Sequence, residues 1–158
     1  MVQPQTNGRP GRRDGQIAEL TVIAPLKPGV ADNLRKALRE FEQSRTRAVD
    51  SVGTVHDMRW LIFDDDTRVL FATAYDGDWD TYIDDFATKI PELMDHIFQN
   101  IEGWPGIASP TIKDFIVSHQ MTTDYWYSAY PTQRVTDIQR SSKVVAAADE
   151  LLDSLNPA

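Results

Sequence analysis

Hydrophobic positions change period several times along the chain, and each change marks an element. In residues 16–24 (QIAELTVIA) Leu20 and Val22 fall on one face and Ile17 and Ile23 on the other, the pattern of a strand covered on both sides. Past the Pro28-Gly29 punctuation, Val30, Leu34, Ala37, Leu38 and Phe41 repeat at helical spacing and predict a helix over about residues 30–44. Two β-branched and aromatic runs, 53–63 (GTVHDMRWLIF) and 68–75 (RVLFATAY), flank the polar Asp64, Asp65, Asp66 and Thr67, which predicts an antiparallel hairpin with a solvated turn. In the first run Met58, Trp60 and Ile62 share one face, whereas Val55, Asp57, Arg59, Leu61 and Phe63 share the other. A sheet with one apolar and one mixed face needs two covers.

The second half is dominated by helical spacing. Trp79, Tyr82, Ile83, Phe86, Ile90, Leu93, Met94, Ile97, Phe98 and Ile101 form the strongest amphipathic pattern of the chain, and Pro91 should break it near Lys89. The stretch EGWPG (102–106) marks a turn, and Ser109-Pro110 reads as the cap and first residue of a short helix ending near His119. Thr, Tyr and Trp dominate residues 122–130 (TTDYWYSAY), which read as a final strand, with a helix as the alternative. From about 134 to 155, Ile138, Val145, Ala148, Leu152 and Leu155 make a helical seam close to the 3.5 repeat, interrupted by Ser141 and Ser142, suited to docking on a body or a partner subunit.

The element order β-α-β-β-α-(α)-β-α contains the split βαβ unit of a ferredoxin-like α+β fold with an antiparallel sheet and an extra C-terminal helix. A strand running into LKPG, a helix carrying LRKALREF, a hairpin and a second long helix resemble, over residues 16–130, the dimeric α/β-barrel superfamily. That group includes antibiotic-biosynthesis-type monooxygenases, chlorite dismutase-like and dye-decolourising peroxidase-like proteins, and small stress-responsive proteins. The resemblance implies a homodimer whose two sheets face each other, which would supply the second cover. Residues 1–15 are polar and rich in Gly, Pro and Arg and are expected to be a disordered tail; 16–130 form the ferredoxin-like domain and 131–158 its helical extension.

Composition narrows the chemistry. A chain of 158 residues with 41% apolar residues suits one domain with its own core. The absence of cysteine removes disulfides, thiolate catalysis and Cys-ligated metal. A net charge of −8 argues against binding nucleic acid or an anionic membrane; only Arg9, Arg12 and Arg13 make a basic cluster. No run approaches the roughly 20 apolar residues of a membrane span and no signal core is present, so a cytoplasmic protein is expected. Nucleotide loops, G-x-S-x-G and H-E-x-x-H are all missing.

The aspartate-rich AYDGDWDTYIDDF (74–86) invites a metal reading, since Asp76, Asp78 and Asp80 match positions 1, 3 and 5 of a calcium loop. Thr81 then stands where glycine is needed and Ala87 where a bidentate glutamate is needed, so no metal is expected. The stretch reads instead as a strand end at Tyr75, a turn at Asp76-Gly77 and a helix capped by Asp78. Of the histidines, His96 sits on a polar helix side and His119 near a helix end. His56 lies in a buried strand beside Asp57 and Arg59, but alternation separates them unless a bulge intervenes.

Strand parity gathers Thr21, Asp57, Arg59, Thr73 and Tyr75 on one face, where Tyr125 and Tyr127 could join from the last strand. An arginine with tyrosines around a pocket suits an anionic or aromatic ligand. The competing reading is an Asp57–Arg59 pair and aromatics that fill core or interface. The resemblance implies an oxidoreductase of monooxygenase type acting on an aromatic or lipophilic small molecule, with Arg59 orienting it and His56 or Tyr75 moving protons. One alternative is a non-catalytic ligand-binding or assembly module. Another is a haem-binding, peroxidase-like protein with a histidine ligand, although YDGDWD shares only letters with the GxxDG signature of that group.

Overall fold

The computed structural model describes residues 3–4 and 11–155, the side chains of 3–4 and 44–48 excepted. Its elements are β1 (Gln3–Pro4), β2 (Arg12–Asp14), β3 (Ile17–Pro25), α1 (Ala31–Val52), β4 (Val55–Phe63), β5 (Arg68–Asp76), α2 (Trp79–Lys89), α3 (Pro91–Phe98), α4 (Ile112–His119), β6 (Gln120–Met121) and α5 (Val135–Leu155). The sheet runs β1-β2-β3-β5-β4, with β6 also on β3, and each pairing is antiparallel. β5 lies between the two strands that α1 connects. Taken across β6, β3, β5 and β4, this is the ferredoxin-like α+β arrangement with its split βαβ unit.

Local chemistry accounts for most element ends. The hairpin turn places Asp64, Asp65 and Asp66 in the left-handed region at φ 58°, 50° and 65°, which short polar side chains tolerate better than most. Asp66 then holds Arg35 of α1 through both oxygens, at 2.9 and 2.5 Å. Asp78 accepts the Thr81 N–H at 2.9 Å and the Thr81 hydroxyl at 2.6 Å, and so caps α2. Asp80 and Asp84 reach Lys113 of α4 at 3.1 and 2.7 Å. The acidic stretch is therefore a junction, and Pro91 separates α2 from α3 as its ring requires.

Four expectations change. α1 runs to Val52 rather than 44, because Val49 and the 2%-exposed Val52 continue its apolar stripe until Gly53, at φ 75°, ends it. Residues 3–4 and 12–14, assigned to a tail, pair as strands. Gly15 permits this return because any side chain there would meet the Pro131 carbonyl, 2.4 Å from its Cβ position. Residues 1–2 and 5–10 of the expected tail, Arg9 among them, lie outside the described residues. No strand forms over 122–130; the last strand, Gln120–Met121, ends just before it, and Tyr125 and Tyr127 stand in a loop at 78% and 72% exposure. Their strand propensity loses because no neighbouring strand or helix covers them. Finally, α4 starts at Ile112, and Ser109 Oγ accepts the Thr111 N–H at 3.2 Å instead of capping the helix.

Register fixes which residues share a face. Leu20, Thr73 and Met58 lie in one row and Val22, Phe71 and Trp60 in the next; this face is packed by the helices. Glu19, Ala74 and Asp57, then Thr21, Ala72 and Arg59, lie on the opposite face, where Glu19 and Ala74 are buried and Asp57 and Arg59 exposed. Core aromatics interlock: Trp60 lies 4.5 Å from Phe71 and 4.8 Å from Phe98, and Tyr75 stacks on Tyr82 at 3.8 Å. No helix among the described residues is long and apolar enough to cross a membrane.

The Asp78 and Asp66 carboxyls are held below their ordinary value of 3.8, the first by the Thr81 hydroxyl and N–H, the second by Arg35. A depressed folded value means that the stabilisation is complete above the unfolded value and is lost as pH falls through the folded one. Asp78→Ala should cost about 1 kcal/mol at neutral pH. Asp78→Asn should keep most of that stability while flattening the loss below pH 3.8; urea unfolding across this range is the check.

Candidate functional site

Opposite β5, strand β4 gains one residue: Val55 faces Tyr75 but Asp57 faces Ala74. The bulge returns Val55 to the helix side and takes His56 out of alternation. His56 Nε2 lies 2.8 Å from Asp76 Oδ1, while Asp76 Oδ2 accepts the Val135 N–H of α5 at 2.8 Å. Asp76 is only 9% exposed. A carboxylate so buried needs its partners, and these two satisfy it from different elements. With a carboxylate as its partner Nε2 is the ring nitrogen that donates, which leaves Nδ1 to face another group.

A groove of about 700 Å³ runs between α1 and this end of β4. Leu38 and Phe41 of α1, with Val55, Met58 and Trp60 of β4, give it an apolar side; His56, Asp57 and Arg59 give it a polar one. Arg59 donates to Asp57 at 3.1 Å, with both side chains more than half exposed. Such a pair contributes little to stability and leaves the guanidinium open to an anion. The Trp60 indole N–H is buried without a hydrogen-bond partner. Its ring packs on Phe71 and Phe98, which line a separate apolar cavity of about 40 Å³ between the sheet and α2–α4. Trp60 thus stands between groove and cavity.

The expected constellation is split by the register. His56, Asp57 and Arg59 meet in the groove. Thr73 and Tyr75 point the other way, into the core, because they share the row parity of Leu20 and Ala18 rather than of Thr21. The Thr73 hydroxyl donates to the Asp57 carbonyl at 2.9 Å and accepts from Tyr82 at 2.9 Å. Burial pushes the Tyr82 hydroxyl well above the ordinary phenol value, against the opposing effect of Thr73. Thr21 donates to the buried Glu19 at 2.9 Å, and Tyr125 and Tyr127 join none of these groups.

The sequence reading missed Asp76, taken as a turn residue, together with Trp60 and Tyr82, taken as packing. The one available signal was the proviso that His56 needs a bulge. His96 meets Glu40 at 3.1 Å, and His119 Nδ1 meets the Phe115 carbonyl at 2.9 Å. None of the three histidines lines the apolar cavity, so no histidine ligand is at hand there for a haem seated in the core. No group of three or more His, Asp or Glu among the described residues could hold a metal ion.

Asp76→Ala should strand both His56 and the Val135 N–H and cost about 2 kcal/mol, whereas Asp57→Ala at the exposed pair should cost under about 0.5 kcal/mol. Urea midpoints at pH 7 compare them, and equal losses would contradict the assignment.

No protein-family model matches the chain, and no curated protein matches it. Among solved structures the chain is similar to tetracenomycin F2 cyclase from Streptomyces glaucescens, a type-II polyketide cyclase, at 17% identity and a TM-score of 0.41, covering 70% of this chain and 97% of that one.

Proposed function

We propose that this chain binds a small aromatic or lipophilic molecule in the groove between α1 and β4 and acts on it by proton transfer, with His56 as the base. The observation that carries the reading is the His56–Asp76 pair lining that groove. A general base needs a free lone pair within reach of the substrate and a second group that holds its tautomer. Asp76 holds Nε2–H, so a substrate proton moves to Nδ1 and the imidazolium is stabilised by the carboxylate. Arg59 at the rim pairs with the anion left behind, and Phe41, Met58 and Trp60 hold the ring.

The oxidoreductase reading starts from the same step. Proton loss leaves an electron-rich substrate anion, the species that passes electrons to dioxygen in a cofactor-free oxygenation. Tyr75, completely buried and stacked on Tyr82, is kept here as a packing residue rather than a proton carrier. A homodimer with facing sheets belongs to this proposal. It is supported by the open face, where Ile23, Leu70 and the 56%-exposed Leu61 are uncovered by any helix. The assembly-module alternative is favoured by one observation, the exposure of every described residue of α5 beyond Val135.

Deuterium exchange tests the chemistry. A panel of hydroxy-aromatic compounds with activated C–H bonds, incubated in D2O, should exchange faster with protein than without. His56→Gln should lose about 100-fold or more of that rate, and Arg59→Gln should raise KM more than it lowers kcat. Equal exchange by the wild type and His56→Gln would overturn the role of His56.

A further inference from the structure

Helix α5 leaves the body at the Asp76 corner, where Val135 and Arg134 are tied to Asp76 and Gln16. Every described residue beyond Val135 is exposed, including Ile138, Val144, Val145, Leu151, Leu152 and Leu155. At about 100° per residue these six, with Ser141 and Ala148, make one stripe about 140° wide. A helix presenting such a stripe to water is at the margin of stability by itself, since most helical stability in proteins comes from packing an amphipathic face. Its own body does not provide that packing.

We infer that α5 pairs antiparallel with the α5 of a second copy of this chain. The seam of the helix selects this occupant, and its charges leave the seam clear. The first half carries Arg140 and Lys143 against a single carboxylate, Asp137, whereas the second half carries Asp149, Glu150 and Asp153 and no cation. Lys143 and Glu150 lie opposite the stripe, and Arg140 and Asp149 border it on different sides, so these charges do not meet across the pair; antiparallel pairing opposes the helix dipoles, which parallel pairing aligns.

The seam itself agrees. Ile138, Val145 and Leu152 recur every seven residues, as do Ser141, Ala148 and Leu155. In the antiparallel register Ile138 meets Leu155, Ser141 meets Leu152 and Val145 meets Ala148, with Val144 beside Leu151. The two small residues thus face large ones. In the parallel register serine would meet serine and alanine would meet alanine, leaving holes in the seam. The contact is isologous and closes on itself. It involves neither His56 nor the groove, so its failure leaves the proton-transfer reading standing.

The chain has no cysteine, which permits a clean cross-linking test on the full-length protein. Ile138→Cys and Leu155→Cys variants, oxidised together, should form a disulfide-linked dimer. Either variant alone should give less than one-tenth of that yield, because like positions lie about 25 Å apart in the antiparallel pair. Val145→Asp, at an exposed position of the folded chain, should abolish the cross-link and lower the sedimenting mass. Cross-linking by each variant alone would replace the pairing with a parallel one. No cross-link in the mixture, with both variants folded by circular dichroism, would mean that α5 docks elsewhere or on another protein; either result overturns the inference.

Discussion

The Asp76 carboxylate is the point on which three parts of this molecule converge. It ends the central strand β5, accepts from His56 of the bulged edge strand, and accepts from the first N–H of α5. Burying a carboxylate without partners is costly, so these two bonds must form together for the corner to fold. The ring orientation of His56 and the exit direction of α5 are thereby set by one group. The proposed base and the helix proposed to pair thus share a single electrostatic anchor.

The bulge decides what His56 can do. In a regular strand, alternation would have put His56 among the core residues beneath the helices and kept it from Asp57 and Arg59. The extra residue instead brings the imidazole to the strand margin, where it lines the groove with both of them while its other side meets Asp76. The groove then combines an apolar wall from α1 and Trp60 with an imidazole and an exposed guanidinium. The aromatic layer behind Trp60 is packed by Phe71 and Phe98, so groove and core are coupled through one indole ring.

Much of the fold was legible in the chain because its signals are local. The periods around Leu34–Phe41 and Trp79–Phe98, the aspartate turn at 64–66 and the cap at Asp78 each depend on neighbours within a few residues. What failed depended on partners distant in sequence. The tyrosines at 125 and 127 have strand propensity but no strand to join, and residues 12–14 look like a tail until β3 is available to pair with them. The site was half legible for the same reason. His56, Asp57 and Arg59 were named from their chemistry, but parity without register placed Thr73 and Tyr75 on the wrong face, and nothing local joins Asp76 to a histidine 20 positions earlier.

With three histidines in the chain, His56 is directly observable by nitrogen-15 imidazole spectra during titration with hydroxy-aromatic ligands, His96 and His119 serving as internal controls. The expected result is a proton on Nε2 of His56, with ligand-induced shifts confined to its resonances. A proton on Nδ1 in the free protein, or ligand shifts at His96 or His119 while His56 stays unmoved, would contradict the assignment of the groove and its base.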